Sequence, residues 1–128
     1  ALRKKTMRIF RNQWITKFAK KHKISDSELI EAVERADDGL IDADLGGGVI
    51  KQRIARQGQG RSGGYRSLIF FRHGERALFL TGFSQNDREN ITEKKLAELK
   101  KNAAHLLAMT ETDIEQAKSN GTFTEIQP

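Results

Sequence analysis

The chain has 128 residues, of which 37% are hydrophobic and 31% charged, with a formal net charge of +6 and no cysteine. That is enough for one domain around a modest core. It excludes disulfides and thiolate metal sites, and no apolar run approaches the roughly 20 residues of a membrane span.

Residues 1–6, ALRKKT, show no periodicity and are expected to be a leader outside the fold, leaving 7–128 as a single domain. MRIF (7–10) predicts a short strand. NQWITKFAKKHK (12–23) predicts an amphipathic helix with Trp14, Ile15 and Phe18 as its core face. The Ser25-x-x-Glu28 capping box opens a second helix, with Leu29, Ile30, Val33 and Ala36 as its buried stripe and Gly39 as its stop. The two helices are expected to form an antiparallel hairpin.

After Gly46–Gly48, read as a sharp entry into a strand, the period shortens to two. VIKQRIA (49–55), YRSLIFFR (65–72) and RALFLTGF (76–83) read as strands, the last two joined by a tight turn at His73-Gly74-Glu75. QGQGRSGG (57–64) is expected to be a glycine-rich loop without regular structure. Thr92 caps a third helix carrying Leu96, Leu99, Ala103, Leu106 and Leu107. Thr110 and Asp113 begin a fourth that Gly121 ends, and FTEI (123–126) is a tail or an edge strand. The fold class is therefore α+β: a small curved antiparallel sheet of three to four strands. An N-terminal helical hairpin and C-terminal helices share one face, and the other face is open.

Charge is blocked along the chain. Residues 1–23 hold nine cations and no acid, residues 24–44 hold eight acids and one cation, and 45–74 hold six cations and no acid. The first two blocks can compensate each other, so the third, with Lys51, Arg53, Arg56, Arg61, Arg66 and Arg72, carries the excess. Such a cluster points to nucleic acid or an acidic protein partner. Strand alternation puts Lys51 and Arg53 on one face, where Arg66 from the neighbouring strand completes an anion cradle. Tyr65 beside it offers a ring for base stacking and a phenol for proton transfer. Metal-free cleavage of RNA uses the 2′-hydroxyl as nucleophile and needs phosphate stabilisation and proton transfer. Arginines suit the phosphate, and Lys51 is the better proton-exchanging group because neighbouring cations disfavour its charged form. Such a site is slow unless something else aligns the RNA in line. His73 reads as a turn residue, and His22 and His105 as helix-surface residues. No metal or other cofactor is expected, and the compartment is expected to be the cytoplasm.

Three motifs occur in order: Gly47-Gly48-Val49-Ile50-Lys51-x-Arg53, Gly58-x-Gly60-Arg61-Ser62-Gly63-Gly64-Tyr65-Arg66 and Gly82-Phe83-x-x-Asn86-x-Arg88-x-Asn90-Ile91. Together, over about residues 7–120, they resemble the RelE/HigB-like toxins of bacterial type II toxin–antitoxin modules. The resemblance implies a RelE-like fold and endonucleolytic cleavage of mRNA, in most RelE members on the ribosome, which would align the substrate. It implies catalytic roles for Lys51, Arg53, Tyr65, Arg66 and Arg88, with Arg56, Arg61 and Arg72 holding RNA. Thr92 stands about where several RelE toxins have a tyrosine, and Arg88 is the substitute. The implied partners are mRNA, the ribosome and a cognate antitoxin, often with a helix-turn-helix domain. Two other readings remain: a ParE-type toxin that binds gyrase without nuclease chemistry, and a non-enzymatic RNA-binding descendant.

Overall fold

The computed structural model describes residues 7–56, 60–84 and 92–126, without the side chains of 56 and 60–63. Residues 1–6 therefore lie outside the described part, as does the junction 85–91. The elements are β1 (Arg8–Asn12), α1 (Gln13–His22), α2 (Asp26–Asp37), β2 (Ala43–Gly46), β3 (Val49–Arg56), β4 (Gly60–Arg72), β5 (Arg76–Ser84), α3 (Glu93–Leu107), α4 (Glu111–Ser119) and β6 (Phe123–Ile126).

The expected sheet of three to four antiparallel strands is corrected to six mixed strands in the order β2-β3-β4-β5-β1-β6. β2 to β5 form an antiparallel meander, β1 then joins β5 in parallel, and β6 closes the edge antiparallel to β1. β2 escapes prediction because four residues, ADLG, carry almost no alternation. Its turn into β3 is Gly47–Gly48, with φ of +63° and +86°, the left-handed region that two-residue hairpins require. Of the glycine-rich stretch 57–64 expected as a loop, residues 60–64 are strand, since β4 begins at Gly60, which pairs with Arg56, and residues 57–59 lie outside the described part.

Alternation along the strands builds two cores. Ile9, Ile50, Ile54, Tyr65, Ile69 and Phe79 meet Ile15, Leu29, Ala32, Val33 and Ala36 on one face. Phe10, Val49, Leu68, Phe70 and Leu78 meet Leu99, Ala103 and Ile114 on the other. Helices thus cover both faces, where the sequence had suggested one. α1 packs over β1 and β5 while α2 packs over β3, so the first two helices share a sheet face instead of forming a hairpin on each other. The caps form as expected: capping boxes at Ser25 and Thr110, and Thr92 accepting from the Lys95 N–H.

One buried polar side chain ties α2 to the sheet. Gln52 donates from Nε2 to the carbonyls of Ala32 and Leu40, each at 3.0 Å, and accepts the Asp42 N–H at 3.0 Å. At the other end, the Arg8 guanidinium bonds both oxygens of Glu125 (2.9 and 3.0 Å) and reaches Glu111 and Glu115 on α4. The basic N-terminal block is therefore compensated partly by the acidic block beside it, through Arg11–Asp26, and partly by the C-terminal acids.

Candidate functional site

β3 and β4 place their cations by register. Arg53 stands directly opposite Arg66, and Lys51 opposite Leu68, so all three cations lie on the face shared with Val49 and Phe70. One strand further, Phe83 of β5 is the partner of Arg66. Along this face Val49, Leu68 and Phe70 are buried against α3, Lys51 and Arg66 are half-buried, and Arg53 is exposed. The cations thus occupy the end of the face that α3 and α4 leave open.

Among the described residues, the absence of acids along residues 45–74 is relieved in three dimensions at two of the cations. The Arg53 N–H donates to Asp42 Oδ2 at 2.6 Å, and its guanidinium Nε lies 3.9 Å from Asp42 Oδ1. Arg72 pairs with Glu75. Lys51 and Arg66 have no ion pair among the described residues. Two like charges facing each other across a ladder are destabilising, and a phosphate between them reverses the sign of that interaction.

A second feature opens at the end of β5. β1 pairs with β5 only as far as Phe79, and beyond that point α1 passes the strand. There Trp14, Lys17, Phe18, Lys21, His22 and Phe83 line an open cleft of about 440 Å³. Trp14 stacks on Phe18 with ring centroids 5.2 Å apart, Phe18 lies 4.5 Å from His22, and Tyr65 meets Phe18 edge-on at 5.5 Å. The ring of Phe18 sits over Gly82, where an added Cβ would fall 2.8 Å from its Cε1. Glycine at 82 is what lets the helix approach the strand.

The family description "RelE toxin of RelE / RelB toxin-antitoxin system" matches residues 7–126. The chain belongs to the RelE toxin family. No individually curated protein matches it. As a RelE toxin it is one half of a toxin–antitoxin module and has a cognate antitoxin as partner. Among the described residues there is no helix long and apolar enough to cross a membrane, and no group of three potential metal-ligating side chains.

In this RelE toxin, the residues singled out from sequence separate into four groups. Lys51, Arg53 and Arg66 come together as described. Tyr65 does not join them. It pairs with Ile54, faces α1, is only 4% exposed, and its hydroxyl lies 3.0 Å from His22 Nδ1. Neighbours on a strand point to opposite faces, so Tyr65 beside Arg66 in sequence is a core residue behind it in space. Arg72 is also apart, six residues along β4 from Arg66, about 20 Å at the rise of a strand, and pairs with Glu75. Arg88 and the side chains of Arg56 and Arg61 lie outside the described residues.

Sequence reasoning missed the α1 cleft. It assigned Trp14 and Phe18 to the core and left His22 as a plain surface residue, whereas Trp14 is 49% exposed. A signal was present: Trp14, Phe18 and His22 recur every four residues, and Lys17 and Lys21 form the adjacent ridge.

Proposed function

We propose that this RelE toxin is a metal-independent endoribonuclease that cleaves mRNA, with the ribosome aligning the strand. The observation that carries this reading is the Arg53–Arg66 pair opposed across β3 and β4, with Lys51 one alternation away on the same face. RelE toxins are generally endoribonucleases, which agrees with that chemistry.

In this mechanism the scissile phosphate sits between Arg53 and Arg66. Their guanidinium groups hold its non-bridging oxygens and stabilise the charge that builds on them. The 2′-oxygen attacks the adjacent phosphorus as it gives up its proton, with Lys51 the side chain of this face suited to exchange protons. The bond from phosphorus to the 5′-oxygen breaks, and that oxygen takes up a proton from water. The products are a 2′,3′-cyclic phosphate and a 5′-hydroxyl. Read from sequence, Arg56 and Arg61 are the candidates to hold the neighbouring backbone and Arg88 a further candidate for the chemistry, all three outside the described side chains. Tyr65 and Arg72 drop out of this site because one is buried on the opposite face and the other is distant. An mRNA target places the toxin in the cytoplasm. An acidic segment of the antitoxin, often one with a helix-turn-helix domain, would neutralise the same cations.

The test expresses the chain beside a Lys51→Ala/Arg66→Ala variant, scoring growth arrest and mapping mRNA 5′ ends. New 5′ ends inside reading frames, lost in the variant, support the proposal. Arrest without cleavage transfers the weight to a ParE-type target such as gyrase. No arrest from folded protein leaves an RNA-binding module.

A further inference from the structure

The cleft beside α1 has the composition of a base-stacking site and opens at the end of β5 on the α1 side of the sheet, with Phe83 standing between it and the cationic face. Trp14 has one ring face against Phe18 and is otherwise half exposed, so it presents a flat apolar surface at the rim. Lys17 and Lys21, both exposed, stand one helical turn apart on the same wall, and no acidic side chain lines the cleft among the described residues. Phe83 lines it too, and Phe83 is the register partner of Arg66. Arg53, Arg66 and Phe83 therefore lie in one row across β3, β4 and β5, and the cleft lies beyond that row, past the end of β5 on the α1 side. Strands lie about 4.8 Å apart, so the backbones of Arg53 and Phe83 are about 10 Å apart, and RNA running from the cations to the cleft would pass around the end of β5.

We propose that the cleft binds a nucleotide of single-stranded RNA flanking the phosphate held by Arg53 and Arg66, with its base on Trp14 and its phosphate on Lys17 and Lys21. This rests on the RNA reading of the cationic face and adds to it a second subsite, on the other side of β5. Aromatic rings provide sequence-tolerant stacking and lysines track the backbone, the combination that single-strand binders use. An acidic peptide would satisfy the lysines but leave the exposed indole face without a planar partner, which is why RNA is the favoured occupant.

Trp14 is the chain's one tryptophan, so its fluorescence reports on the cleft directly. The experiment titrates the full chain with a short single-stranded RNA carrying 2′-O-methyl sugars throughout, which cannot be cleaved by 2′-hydroxyl attack. Trp14 emission is followed alongside the anisotropy of a label on the RNA. The expected result is saturable quenching. Affinity should fall about tenfold in Trp14→Leu. Lys17→Gln/Lys21→Gln should weaken binding and reduce the slope of log affinity against log salt by about 0.7, the value for one single-strand phosphate contact. Both variants alter exposed side chains on a helix, and circular dichroism verifies that they fold. RNA binding that Arg66→Gln weakens, with unchanged Trp14 emission and no effect of either cleft variant, would overturn the inference and leave the cationic site standing. Absence of RNA binding overturns it too, as does quenching by a poly-glutamate peptide with none by RNA. Mapped 5′ ends in cells report separately on cleavage.

Discussion

Arg53 and Arg66 are register partners across β3 and β4, two cations facing each other on one side of the sheet. Asp42 lies beside Arg53, while Arg66 has no ion pair among the described residues. A pair of this kind costs folding stability and is suited to an anion that arrives later. Arg66→Gln is therefore expected to raise stability slightly, by about 0.2–1 kcal/mol, while abolishing growth arrest. Urea unfolding and a toxicity assay on the same variant check both halves. A loss of stability together with the loss of toxicity would mean that Arg66 serves the fold.

Gln52 presents the opposite case, a polar side chain with every bond made. Its amide joins the Ala32 and Leu40 carbonyls and the Asp42 N–H in a buried site. Gln52→Leu fills similar volume but leaves three backbone groups without this partner, two of them on the segment that brings Asp42 to Arg53. Each buried group left unsatisfied costs about 1–3 kcal/mol, with water recovering part of it, so a net loss of about 2–4 kcal/mol is expected in urea unfolding.

The residues that alternation and capping rules can read were legible in the sequence. β3, the β4–β5 hairpin at Gly74 and the caps at Ser25, Thr92 and Thr110 depend on residues a few positions apart. The parallel pairing of β1 with β5 joins residues 8–11 to 76–79, and no local pattern encodes it. That pairing makes the sheet six strands wide and leaves the end of β5 beside α1, so the cleft could not be seen before the fold. Trp14 illustrates the same limit. Helical spacing shows that Trp14, Ile15 and Phe18 share a side, but only the position of the strand beneath decides that Ile15 is buried and Trp14 stays out.

Tyr65 tests whether proximity in sequence or in space governs the site. Its ring packs against Phe18 and His22 behind the cationic face. Tyr65→Phe removes the hydroxyl that meets His22 Nδ1 and is expected to cost about 1 kcal/mol with growth arrest intact. Tyr65→Ala should cost about 3–5 kcal/mol through the cavity it leaves, as for other large aromatics. Loss of messenger cleavage in the phenylalanine variant, at undiminished stability, would return Tyr65 to the chemistry.

Glu125 makes the C-terminal elements sensitive to acid. The Arg8 guanidinium, bonded to both its oxygens, and then Lys118 at 2.8 Å hold its carboxyl down to about 2, against burial that opposes them. Because the folded-state value lies below the unfolded one, the stabilisation is complete above the usual carboxylate range and is lost as pH falls from about 4.5 towards about 2. Arg8 is shifted upward and does not titrate in that window. The melting temperature should fall between pH 5 and pH 2.5 (roughly the window set by such a carboxylate), and Glu125→Gln should flatten that part of the profile while lowering the neutral-pH value.

Gly82 joins the fold to the proposed RNA cleft. An alanine Cβ there would sit 2.8 Å from Phe18 Cε1 and 3.1 Å from its Cδ1. The ring cannot simply swing away, because Trp14, His22 and Tyr65 all pack on it. Gly82→Ala should therefore push α1 off β5 at a cost of about 1–3 kcal/mol, the range for overpacking, and shift Trp14 emission without any ligand. If the cost is steric, Phe18→Leu in the same chain recovers part of it, and a double-mutant cycle shows a coupling beyond the error of additivity. Purely additive losses would mean that Gly82 is required for its backbone and not for the approach of Phe18.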